Sequence, residues 1–119
     1  MKRTLVSIAL AAFVMALVVA PASAAPRPKT VKVADVEFMP ELLKVRQRTL
    51  VRFNWVGEMP HDVTKSSGPG RQFQSRTTSD PGVNFKRRFR KAGRYRLFCT
   101  VHPDQMRMTL RVKRKRTRG

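Results

Sequence analysis

The chain has a single cysteine, two histidines, one tryptophan, one tyrosine, and only seven acidic residues against twenty-six lysines and arginines. A lone cysteine excludes an internal disulfide, so the fold rests on core packing or on a metal. The scarcity of acid leaves a net charge of +19, a field that attracts polyanions and acidic proteins and makes association sensitive to salt. No internal repeat is visible, and after the first two dozen residues there is no amphipathic helical spacing and no second long apolar run. An all-α fold and an integral membrane span in the processed protein are therefore not expected.

What is present begins with a leader. Lys2 and Arg3 form a charged start, Leu5 to Ala20 is an uncharged apolar run, and Ala22-Ser23-Ala24 supplies a small-x-small cleavage pattern. Residues 1–24 read as a signal peptide, with export to the periplasm, the cell envelope or the medium. A retained anchor is the rival reading, but the run is short for a span of roughly 20 residues and stops at Pro21. Loss of Lys2 and Arg3 with the leader takes the charge from +19 to +17. Residues 25–113 then suit one small domain, and 114–119 a basic C-terminal tail. That tail has no aromatic residue to stack on bases, so a specific nucleic-acid site is not expected.

Within the domain, period-two alternation marks strands. Val31 and Val33 alternate with Lys32 until Phe38-Met39-Pro40 interrupts, and Leu42 to Val45 forms a second short strand. Thr49 to Trp55 is the clearest, with Val51, Phe53 and Trp55 on one face. Lys65 to Gly70 reads as a surface loop from its Ser, Gly and Pro content, and Arg71 to Gly82 gives no structural signal. Val83 to Phe89 is a strand with either Val83, Phe85 and Arg87 inward or, with a bulge, the opposite set. Arg94 to Cys99 places Tyr95, Leu97 and Cys99 on the core face, and Met108, Leu110 and Val112 alternate in a closing strand. Short strands separated by turns predict an all-β sandwich.

The chemistry gathers between the last two strands. Cys99, His102 and Met106 share one loop, and the other histidine, His61, follows a turn fixed by Pro60. Thiolate, two imidazoles and a weak thioether are the donors of a blue-copper site, and they suit both oxidation states of the metal. Of the six methionines, Met1 and Met15 belong to the leader, Met108 reads as core, and Met59 as rim beside His61. Met106 lies in the ligand loop. A thiol nucleophile pairing Cys99 with a histidine lacks a third, orienting group, so the chain is not expected to be an enzyme.

At Met59-Pro60-His61-Asp62-Val63 and at Gly93 to Pro103, followed by Met106 and the Met108 to Val112 strand, the sequence resembles the cupredoxins, the type 1 copper proteins, particularly plastocyanin-like and amicyanin-like members. The resemblance implies a Greek-key β-sandwich of about seven to eight strands holding one copper ion, with His61, Cys99 and His102 as equatorial ligands and Met106 axial. It implies electron transfer by Cu(II)/Cu(I) cycling, with His102 as the electron port through an apolar patch of Met59, Pro60, Val101 and Pro103. Phe98 offers a second route. Two departures stand out. Three residues rather than two separate His102 from Met106, and Asp62 stands where asparagine is usual, placed to accept a hydrogen bond from Thr100. An acidic redox partner or an anionic envelope surface is the expected partner, and the protein is expected to be a monomer. The alternatives are a copper storage, delivery or sensing module and a metal-free sandwich binding polyanions through its tail.

Overall fold

The computed structural model describes residues 9–18 and 25–116. Lys2-Arg3, the Ala22-Ser23-Ala24 cleavage pattern and residues 117–119 of the basic tail lie outside the described residues. No described helix is long and apolar enough to cross a membrane. The described residues form eight strands: β1 (Lys29–Ala34), β2 (Glu37–Met39), β3 (Leu42–Arg46), β4 (Thr49–Trp55), β5 (Thr64–Ser67), β6 (Gly82–Phe89), β7 (Gly93–Phe98) and β8 (Arg107–Lys113). They make two four-stranded sheets, ordered β2-β1-β4-β6 and β3-β8-β7-β5. Pairing is antiparallel except for β1 with β4 and β3 with β8. The predicted all-β sandwich is the observed architecture.

Alternation dictates which side chains enter the core. Val31 and Val33 of β1, Val51, Phe53 and Trp55 of β4, Tyr95 and Leu97 of β7, and Met108, Leu110 and Val112 of β8 are all buried. Each large side chain fully removed from water contributes about 1.5–3 kcal/mol, which is how so small a domain closes without a disulfide. In β6 the inward side is Phe85, Arg87 and Phe89, while Val83 is half exposed. The pairing explains this mixture of the two expected faces. Phe53 opposes Phe85 but Asn54 opposes Val83, so Asn84 is an extra residue that flips the strand over.

Three segments differ from the sequence reading. Glu37–Met39 interrupts nothing; it turns back as β2 and pairs with β1, burying Phe38 completely. Lys65 to Ser67, read as part of a surface loop, belong instead to strand β5, which pairs with β7. Lys65 in it is buried, and its ammonium donates to the carbonyls of Pro69, Gly70 and Arg71 at 2.9–3.1 Å. The silent stretch after it is a strap bridged to the segment that carries the first histidine, through His61 with Thr78 and Thr64 with Gln74. Phe73 anchors that strap by packing on Phe85 and Phe89, with the Arg87 guanidinium 4.3 Å over its ring.

Candidate metal centre

One end of the sandwich receives the chain at three places: past β1, past β4 and between β7 and β8. After β4 the chain turns through Gly57 and Glu58 against Asp35, which follows β1. Asp35 accepts hydrogen bonds from the Met59 amide at 2.9 Å and the Glu58 amide at 3.1 Å. A β-carbon on Gly57 would stand 2.2 Å from Asp35 Oδ1, so only glycine allows this approach. The turn delivers His61, whose amide and carbonyl both pair with Thr78 of the strap at 3.0 Å. The backbone of His61 is thereby held on both sides.

The His61 ring is completely buried. Its Nε2 lies 3.1 Å from Asp35 Oδ1 and its Nδ1 3.8 Å from Cys99 Sγ. A carboxylate at Nε2 keeps the proton there and leaves the Nδ1 lone pair facing the sulfur. The Met59 amide, the Glu58 amide and His61, in that order, hold the Asp35 carboxyl below its ordinary value. Asp35 is the site residue that sequence reasoning missed. It lies twenty-six residues before His61, and its only local signal is a carboxylate just past a strand end.

Cys99 follows β7, buried, with its amide donating to the Met106 carbonyl at 3.0 Å. The amide of Asp62 donates to Sγ at 3.4 Å. Asp62 itself is buried and fully engaged. Oδ1 accepts from the Thr100 amide at 3.0 Å and the Thr64 hydroxyl at 2.8 Å; Oδ2 accepts from the hydroxyls of Thr77, at 3.2 Å, and Thr100. The Thr100 bond anticipated from sequence is therefore made, and it ties the His61 segment to the Cys99 segment.

The loop after Cys99 closes on itself, with the Met106 amide donating to the His102 carbonyl at 3.0 Å. The His102 ring is half-buried and lies 5.3 Å, centroid to centroid, from that of His61. Its Nδ1 is buried and has no hydrogen-bond partner. Donor atoms of His61, Cys99 and His102 all fall within 4.8 Å of one another. Met106 is wholly buried where the loop rejoins the sheet, and Met108 is buried opposite Leu97 in β8.

A metal fits this cluster for two physical reasons. An orphaned buried imidazole nitrogen costs free energy unless something accepts its lone pair, and two imidazoles with one thiolate match copper among the first-row metals. A two-sheet sandwich with this nitrogen and sulfur group at one end defines a cupredoxin. The sequence profile described as copper binding proteins, plastocyanin/azurin family, matches residues 28–113, and the chain belongs to that family. Copper is accordingly its cofactor. Among solved structures, a reduced-state amicyanin variant is 24% identical with a TM-score of 0.65, covering 72% of this chain and 82% of that one. A second reduced amicyanin variant is 24% identical with a TM-score of 0.65, covering 76% and 87%. A copper-containing nitrite reductase from Thermus scotoductus is 25% identical with a TM-score of 0.63, covering 75% of this chain but 23% of that larger one. A comparison with curated proteins returns no match.

Proposed function

We propose that this protein is an exported electron carrier in which His61 and His102 through Nδ1, Cys99 through Sγ and, more weakly, the Met106 thioether hold one copper ion. The observation that carries the reading is the unpartnered, buried Nδ1 of His102 beside the His61 and Cys99 donors. Bound copper supplies a one-electron Cu(II)/Cu(I) couple. The chain supplies rigidity: Asp35 and Thr78 hold His61, Asp62 holds Thr100 next to Cys99, and the Cys99–Met106 backbone bond closes the loop. Donors fixed before the electron arrives need little rearrangement when it does, which favours fast exchange.

His102 is the expected exit, because it alone of the three clustered donors is not fully buried. Met59 and Val101 are each exposed by about two-fifths, 39% and 45%, and with Pro60 and Pro103, which stand beside the two histidines in the sequence, they offer an apolar rim for that imidazole. Such a rim suits brief docking to a redox protein across a small interface. The export reading rests on the leader-like residues 1–24.

Titration of the purified protein with Cu(II) tests this. An intense visible charge-transfer band, absent in Cys99→Ser, is the expected result, together with a reversible reduction wave. A colourless protein overturns the copper assignment. A coloured protein that exchanges electrons slowly and releases copper readily to a competing chelator overturns the carrier in favour of a delivery or storage module.

A further inference from the structure

The end of the sandwich remote from the metal centre carries a different kind of site. β4 runs from Thr49 at that end to Trp55 beside the centre, and β8 from Arg107 beside the centre to Lys113 at that end. Strands of this length separate the two poles by about 20 Å. Between the start of β1, the β3–β4 turn and the end of β8 opens a cleft of about 880 Å³, lined among the described residues by ten lysines and arginines and no carboxylate. Much of that charge is on the framework. Lys44, Arg46 and Lys113 are exposed strand residues. Arg88 donates to the Arg48 carbonyl at 2.7 Å, and the Gln47 side chain clasps the Arg90 carbonyl at 3.1 Å and the Lys115 amide at 2.9 Å.

The acidic residues are segregated to the opposite half. Glu58, Asp62 and Asp104 lie in the segments that carry His61, Cys99 and His102, Asp35 sits against His61, Glu37 opposes Ala34 at the end of β1, and Asp80 and Glu41 precede strands that start on that side. Hence the chain is strongly polarised, with its cationic end facing away from the electron exit. Among the described residues no aromatic side chain lines the cleft, which removes the stacking that single-stranded nucleic acid uses. The chain also enters the domain at this pole, since Lys29 opens β1 within the cleft.

We propose that this cleft docks the protein on an anionic phospholipid surface. Lipid phosphates meet the clustered cations, and binding is electrostatic, reversible and weakened by salt. Its consequence rests on the copper reading: a molecule held by this pole presents the His102 edge away from the bilayer, to partners that diffuse past.

The test is co-sedimentation of the exported protein with phosphatidylcholine vesicles that contain or lack phosphatidylglycerol. It compares Lys44→Gln/Arg46→Gln/Lys113→Gln with a control triple of equal net charge, Arg52→Gln/Lys86→Gln/Arg96→Gln, taken from exposed mid-strand positions. All share one N-terminus, so any leader contributes equally. Binding that needs phosphatidylglycerol, falls on the order of 100-fold in the cleft triple and falls less than tenfold in the control supports the proposal. Lys44→Arg/Lys113→Arg should bind like the parent and separates charge loss from misfolding. Equal losses in both triples, binding indifferent to phosphatidylglycerol, or tighter capture by soluble polyphosphate than by vesicles would each overturn it. The measurement is made on copper-free and copper-loaded protein alike, so its failure is distinct from failure of the copper assignment.

Discussion

Asp35 Oδ1 stands 3.1 Å from Nε2 of His61, while Nδ1 of the same ring looks toward Cys99 Sγ at 3.8 Å. One imidazole thus links a half-exposed carboxylate to the buried sulfur. The link fixes which nitrogen is free to bind metal, because a ring that donates through Nε2 presents a lone pair at Nδ1.

Replacement of Asp35 by Asn puts this to the test. An amide can donate to Nε2 and drive the proton to Nδ1, so copper affinity should fall about 10–100-fold, measured by competition with a chelator. Gly57→Ala should move affinity the same way, since its new carbon would collide with Asp35 Oδ1. Unchanged affinity in both variants removes Asp35 from any role in holding His61.

Acid stability gives an independent reading of the same carboxylate. Its folded-state pKa lies below the ordinary 3.8, the Met59 amide being the largest cause. The folded protein therefore binds fewer protons there than the unfolded chain. The resulting stability is fully present above the ordinary value and is lost as pH falls through the depressed one. Urea midpoints of the copper-free protein should drop below about pH 4, with a shallower decline in Asp35→Asn. Parallel acid limbs would count against the pairing.

The two buried methionines can be separated spectroscopically. Met106→Gln should alter the visible and paramagnetic resonance spectra of the copper form, whereas Met108→Gln should leave the spectra alone. It should instead cost stability, on the order of 1–3 kcal/mol for a buried polar group without a partner. Spectral change confined to Met108→Gln would reverse the axial assignment.

Asp62 offers a fourth test. Its carboxylate receives four hydrogen bonds within one residue of Cys99 Sγ's own donor, the Asp62 amide. Negative charge so close to the centre favours Cu(II) over Cu(I), so Asp62→Asn should raise the reduction potential in voltammetry. Asp62→Ala strands the Thr100 amide and should cost about 1–3 kcal/mol in unfolding. A lowered potential in the Asn variant contradicts this electrostatic account.

Strands with clean alternation were legible in the sequence: β4, β7 and β8 bury the faces that their valines, leucines and aromatics mark out. So were three donors of the cluster, because rare residue types stood at strand ends. Other features hid for physical reasons. β5 reads Thr-Lys-Ser-Ser, and its Lys65 is buried only because three loop carbonyls surround its ammonium. The strap carries one aromatic anchor, Phe73, in an otherwise polar run, and its pairing with His61 is through backbone atoms that side-chain patterns do not report. Asp35 could not be found by spacing, since its partner is chosen by the parallel pairing of β1 with β4.

That parallel pairing, with its counterpart between β3 and β8, also governs when the donors can meet. Topologies closed by contacts distant along the chain fold slowly, since the entropy of large loops is lost before the pairing compensates it. β8 is the last strand in sequence yet lies inside its sheet, between β3 and β7, and the loop bearing Cys99 and His102 is anchored only once it docks. The nascent chain therefore offers copper no assembled binding geometry. The cluster of His61, Cys99 and His102 is complete only with the last described strand in place, so variants that loosen β8 should weaken copper binding and sandwich stability together.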